Sequence, residues 1–137
     1  MLQAIAKTIG EKGCYYFSLL RLVGFESQAL EMYESATAAR AGTKPIMDKD
    51  CYINDPSALL KLAVGGEWKV RHELADYMPT DGELEILRFE RVITGATLSH
   101  FVVGDGKGKV AYDPLGKSQT VRLGKLVSKR IVKRSKR

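Results

Sequence analysis

One change of period constrains this chain more than any other feature. Up to Val64 the apolar residues cluster at helical spacing, and from Glu67 onward they alternate with polar ones. "CYYFSLLRLV" predicts a buried helix over Cys14–Val23, with Cys14 at its N-terminal end and Gly24 as its stop. "FESQALEMYESATAARAG" predicts a second helix, capped by Ser27 and ending before Gly42. "GTKPIMDKDCYIND" reads as a loop with a short extended piece at Cys51–Ile53. "NDPSALLKLAVGG" is a third helix, with Asp55 as cap, Pro56 at its first position and Gly65-Gly66 at its end. Strands follow in "EWKVRHEL", "ELEILRFERVI", "HFVVG" and "KVAYD", the last two joined by a turn in "GDGKGK". "TVRLGKLVSKRIV" adds one or two more strands, with Lys129 and Arg130 facing outward. Helices first and strands second is the α+β pattern: an antiparallel sheet packed against one central helix. The expected division is one domain over residues 1–132 and a frayed basic tail over 133–137.

Composition narrows the function classes. At 137 residues with 45% hydrophobic content, the chain suits one soluble domain with one core. No apolar run approaches the ~18 residues of a membrane span. The N-terminal stretch lacks the pattern of a signal peptide, so a cytoplasmic protein without a membrane partner is expected. The net charge of +6 is unevenly spread. Nine of the 22 basic residues and none of the 16 acidic ones lie in 117–137, leaving 13 basic against 16 acidic in 1–116. No aromatic residue interleaves with those nine, which argues against base stacking; only phosphate contact by 117–137 would support a nucleic-acid partner.

Three residues carry candidate chemistry. Cys14 follows Gly13 at a helix N-terminus, where the positive end of the helix dipole favours a thiolate. Its backbone N–H would be free to stabilise an oxyanion. His100 opens the strand "HFVV", from which it could reach over the sheet edge as a base. A turn at Gly106–Gly108 would pair 100–104 with 109–113 and set Asp113 opposite His100, Cβ atoms ~5 Å apart. A carboxylate there can fix the imidazole tautomer that accepts a thiol proton. Each residue also has a plain structural reading: a core thiol, a satisfied His and a turn-forming Asp-Pro. His72, mid-strand between Arg71 and Glu73, is the weaker base because no acid follows in a returning strand.

"GCYYFSLL" followed by "SHFVVGDGKGKVAYDPLG" resembles the papain-like cysteine peptidase fold, in particular the small bacterial branch that includes the C39-type peptidases of bacteriocin exporters. "DPLGKSQTVRLGKLVSKR" is similar to small proteins encoded on spirochaete plasmids and in bacteriophage genomes. The resemblance implies a peptide or protein substrate, a Cys-His-Asp triad of Cys14, His100 and Asp113, and a thioester intermediate. The family places a Gln five or six residues before the Cys as second oxyanion donor. Here Thr8 and Ile9 stand there, which leaves the Cys14 backbone, with Lys7, Thr8 or Lys12 as candidate substitutes and Thr8 the one expected at the site. Tyr15 follows the Cys where the family has Gly or Trp.

Other sites fit less well. Cys14, Cys51, His72 and His100 are spaced by 37, 21 and 28 residues, which matches no compact zinc-ligand pair. Asp48, Asp50 and Asp55 lack the glycine and terminal Glu of a calcium loop, and "GDGKGK" lacks the strand-to-helix setting of a phosphate loop. No metal and no cofactor is expected. The sequence is silent on oligomeric state. The competing functions are a catalytically inactive papain-like module that engages a host protein, and a nucleic-acid accessory protein acting through its basic end.

Overall fold

The computed structural model describes residues 3, 4, 12–116 and 118–135. Helices α1 (Cys14–Leu22), α2 (Ala29–Ala38) and α3 (Pro56–Val64) precede a sheet of β3 (Trp68–Leu74), β4 (Glu83–Ile93), β5 (Ala96–Gly104), β6 (Val110–Tyr112) and β7 (Lys125–Arg134). Two short strands, β1 (Arg40–Ala41) and β2 (Lys44–Pro45), form a separate hairpin between α2 and α3. The α+β class stands, with helices packed on an antiparallel sheet. Helix α1 lies against β5 and β4 and α3 against β3, while α2 packs on α3 and β2. Among the described residues, no helix is long and apolar enough to cross a membrane.

The helix signals act as their chemistry requires, with one exception. The Asp55 carboxylate accepts the Ala58 N–H at 3.0 Å, and Pro56 occupies the first turn of α3. Ser27 caps nothing: it lies inside a 3-10 turn, Glu26–Gln28, that feeds α2 without a side-chain cap.

The sheet order is β3-β7-β4-β5-β6. β7 therefore sits between β3 and β4, with His72 opposite Arg130 on one side and Ile86 opposite Arg130 on the other. Alternation along the strands separates two faces. Ile86, Val132, Val70 and Trp68 meet Tyr16, Leu19, Leu20, Leu59 and Leu60 in the main core. Glu85, Leu87, Lys129 and Ile131 lie on the reverse face, all buried. Part of that face is covered by a short helix, α4 (Gln119–Leu123), which packs on β4, β5 and β7.

Several expectations change here. "TVRL" is helical: the Ser118 side chain accepts the Thr120 N–H at 3.1 Å, starting a turn too short to show a period of its own. Lys133 and Arg134 belong to β7, paired with Lys69 and Trp68, and the Ser135 N–H bonds the Glu67 carbonyl at 2.8 Å. The boundary drawn at 132 thus cuts through a central strand. Lys129 does not face outward; it is buried in an ion pair with Glu85 at 2.8 Å and donates to the Tyr77 carbonyl at 2.8 Å. Arg130 is half-buried over the Phe101 ring.

Candidate active site

The site forms where α1 meets the edge of β5. Strand β6 pairs only with Val103 and Gly104, so the β5 backbone before them has no further strand beside it. Helix α1 takes that place. The Ser18 hydroxyl donates to the Phe101 carbonyl at 3.4 Å, and the Phe101 backbone N–H bonds the Cys14 thiol. Edge satisfaction and thiol placement are one arrangement. Gly13, just before the helix, has φ −100°, a conformation open to any residue.

His100 is buried on β5, but at the fifth of its nine residues rather than at the strand's start. The strand begins at Ala96, because the β4–β5 pairing continues down to a tight turn beyond Ile93. The His100 Nε2–H donates to Asp113 Oδ1 at 2.7 Å, which leaves Nδ1 as the nitrogen for the thiol. The His100 ring and the Cys14 thiol also interact, each shifting the other's pKa.

Asp113 lies just past β6, and it meets His100 by another register than the one expected. Tyr112 stands opposite Val103, with a bulge before Gly104, so Asp113 is offset by two residues from the position facing His100. The pair closes diagonally. The carboxylate is fixed by its own turn: Oδ1 accepts the Leu115 N–H at 2.9 Å and Oδ2 the Ser118 N–H at 3.2 Å. The turn-forming and His-orienting readings of Asp113 are both realised.

The electrostatics follow from this geometry. Burial works to raise the Cys14 pKa, but the His100 hydrogen bond, the Phe101 N–H and the His100 charge outweigh it, and the thiol lies below its ordinary value. Burial works to lower the His100 pKa, and the hydrogen bonds to Cys14 and Asp113 reverse it, holding the imidazole above its ordinary value. Cys51 moves the opposite way: burial, with the Asp50 charge, pushes it up to about 11. The two thiols are thus shifted in opposite senses, Cys14 toward its thiolate and Cys51 away from it.

A cleft of about 570 Å³ opens beside Cys14. Its walls include Tyr15, Phe101 and Arg130 on one side and the 50–54 loop on the other. Cys51 stands in that loop at φ +70°, an uncommon conformation for a residue with a side chain. His72 also lines the cleft, exposed; burial, then the charges of Arg130 and Arg88, hold its pKa down, and it has no carboxylate partner among the described residues. Thr8, the expected oxyanion donor, lies outside the described residues, as does Lys117 of the basic segment.

Sequence reasoning missed the pair Glu85–Lys129 that braces this site. Glu85 Oε2 accepts the N–H groups of Gly106 and Gly108 at 2.8 and 2.9 Å, pinning the loop between β5 and β6. Gly104 makes room for it, since a Cβ there would come 2.5 Å from Glu85 Oε2. The available signal was phase: Glu85 is in step with Leu87, and Lys129 with Ile131, two residues apart on one face.

The chain belongs to a family described as "Protein of unknown function, DUF261", whose model matches residues 2–134. No curated protein and no solved structure matches it.

Proposed function

We propose that this chain is a thiol hydrolase with a papain-like fold, acting on a peptide or protein substrate. Cys14 is its nucleophile, His100 its general base and acid, and Asp113 the group that orients the imidazole. One observation carries the reading: Asp113 engages one nitrogen of a buried His100 at 2.7 Å while the same ring interacts with a thiol held below its ordinary pKa.

The chemistry follows from these positions. The thiol proton passes to His100 Nδ1, and the sulfur attacks the scissile carbonyl carbon. The Cys14 N–H, at the first residue of α1 where no intrahelical acceptor exists, can stabilise the resulting oxyanion. His100 returns the proton to the leaving nitrogen as the C–N bond breaks, giving a thioester. Water, deprotonated by His100, then attacks the thioester; the C–S bond breaks, and the thiol takes back its proton.

Alkylation of the folded protein by iodoacetamide across pH 5–9, mapped to Cys14, tests this reading. In the wild type the reaction should persist well below the unperturbed thiol pKa of ~8.5. His100→Ala should slow it at pH 6 by about 100-fold, to the thiolate fraction of an ordinary cysteine. An inert Cys14, or one indifferent to His100, would leave a papain-like binding module in place of an enzyme.

A further inference from the structure

The cleft beside Cys14 holds an unmatched positive charge. Its charged lining is Lys12, Asp50, His72 and Arg130. Asp50 is engaged locally, accepting the Tyr52 N–H at 3.3 Å. Arg130 is half-buried, and among the described residues its guanidinium meets no carboxylate. It donates weakly to the Ser128 hydroxyl at 3.2 Å and the Lys129 carbonyl at 3.4 Å, and lies 5.4 Å from the Phe101 ring centroid. Two other half-buried arginines of the sheet are matched, Arg71 by Glu73 and Glu83 at 2.7 and 2.9 Å and Arg88 by Glu90 at 2.8 Å, while Arg91 near the far end of β4 makes no ion pair among the described residues. A guanidinium removed from water without an anion is a costly arrangement that a bound carboxylate would relieve.

Its surroundings suit that ligand. The Tyr15 ring stacks on Phe101 with centroids 4.6 Å apart, and its hydroxyl makes no hydrogen bond among the described residues. Tyr15 and the Arg130 guanidinium both lie against the Phe101 ring and both line the cleft, which places them in one corner of it. Phe101 connects this corner to the nucleophile, since its N–H bonds the Cys14 thiol while its ring lies under Arg130.

We propose that Arg130 and the Tyr15 hydroxyl form a carboxylate subsite beside Cys14, so that the preferred substrate carries a carboxylate in the residues next to the scissile bond. This deepens the hydrolase reading and rests on it for the word substrate; the subsite itself does not need an activated thiol. Arg130 is thus a specificity residue rather than a catalytic one.

Two alkylating reagents of nearly equal size test it. Iodoacetate and iodoacetamide both lose iodide as the sulfur–carbon bond forms, and only the first carries a carboxylate. The iodoacetate-to-iodoacetamide rate ratio is measured at Cys14 at pH 6 and pH 9, with glutathione as reference. The wild-type ratio should exceed that of glutathione at both pH values. Arg130→Gln should lower it about tenfold, the scale of one charged hydrogen bond, and Arg130→Lys should restore part of it. A ratio indifferent to Arg130→Gln would overturn the subsite. If Arg130→Gln does not fold, competition in the wild type decides: glutarate, at matched ionic strength, should slow iodoacetamide where glutaramide does not, and equal effects would overturn the proposal. The pH profile of iodoacetamide alone reports on thiol activation. At pH 9 any accessible thiol reacts, so the ratio there judges the subsite even if activation fails.

Discussion

Two buried acid–base pairs hold the same hairpin, and they do different work. Lys129–Glu85 and His100–Asp113 lie on the reverse face of the sheet and at its edge, with contacts of 2.8 and 2.7 Å. The first is sealed, its side chains 1% and 0% exposed, and its remaining bonds go to backbone: Tyr77 on one side, Gly106 and Gly108 on the other. The second is scarcely more open, at 5% and 6%, but one nitrogen of its base is left for a thiol that borders a cleft. Burial and pairing alone therefore do not mark a reactive site. The proposed site differs in having a partner able to titrate and a thiol within reach of the ring.

The contrast can be broken most forcibly at the sealed pair. Lys129→Ala leaves Glu85 buried without its cation and should cost about 3–5 kcal/mol, read from urea unfolding. A loss under 1 kcal/mol would mean that the backbone bonds to Glu85 suffice on their own.

Asp113→Ala should act more on reactivity than on stability. With its orienting group gone, His100 should activate Cys14 about tenfold less at pH 6, measured by alkylation. The stability effect has a sign. The His100 pKa is raised in the folded state, so the associated stabilisation is complete below its ordinary value of 6.5 and lost as pH rises through the folded value. The stability gap between wild type and Asp113→Ala should therefore be wider at pH 5.5 than at pH 9. A gap that does not vary with pH would reduce Asp113 to a turn residue.

The smallest effect is a control on both pairs. Asp55→Ala removes the α3 cap, far from either pair in the hydrogen-bond network, and should cost about 1 kcal/mol in thermal unfolding. Cys14 alkylation should not change; a change would show that reactivity follows global stability rather than the local pair.

Much of the fold was legible because its signals are local. The Asp55-Pro56 start of α3, the span of α1 and the eleven residues of β4 each depend on near neighbours in the chain. The nearness of Asp113 to His100 was legible because a glycine-linked hairpin brings its two ends together; Cys14 joined them only through the resemblance. What escaped is what distant chain segments decide. The diagonal approach of Asp113 comes from a bulge that alternation does not reveal. Lys129 was read as exposed because lysine usually is; only the arrival of β4 supplies the carboxylate that lets it stay inside. Helix α4 escaped because five residues, with Val121 and Leu123 two apart, read equally well as a strand.

The placement of β7 has a consequence for assembly. It follows every strand it organises in chain order, yet occupies the middle of the sheet, between β3 and β4. A nascent chain released only as far as Gly124 would hold β3 apart from the β4–β5 hairpin, each with an open flank and Glu85 without its lysine. Closure of the sheet therefore requires residues 125–134, which alone bridge the edges of β3 and β4.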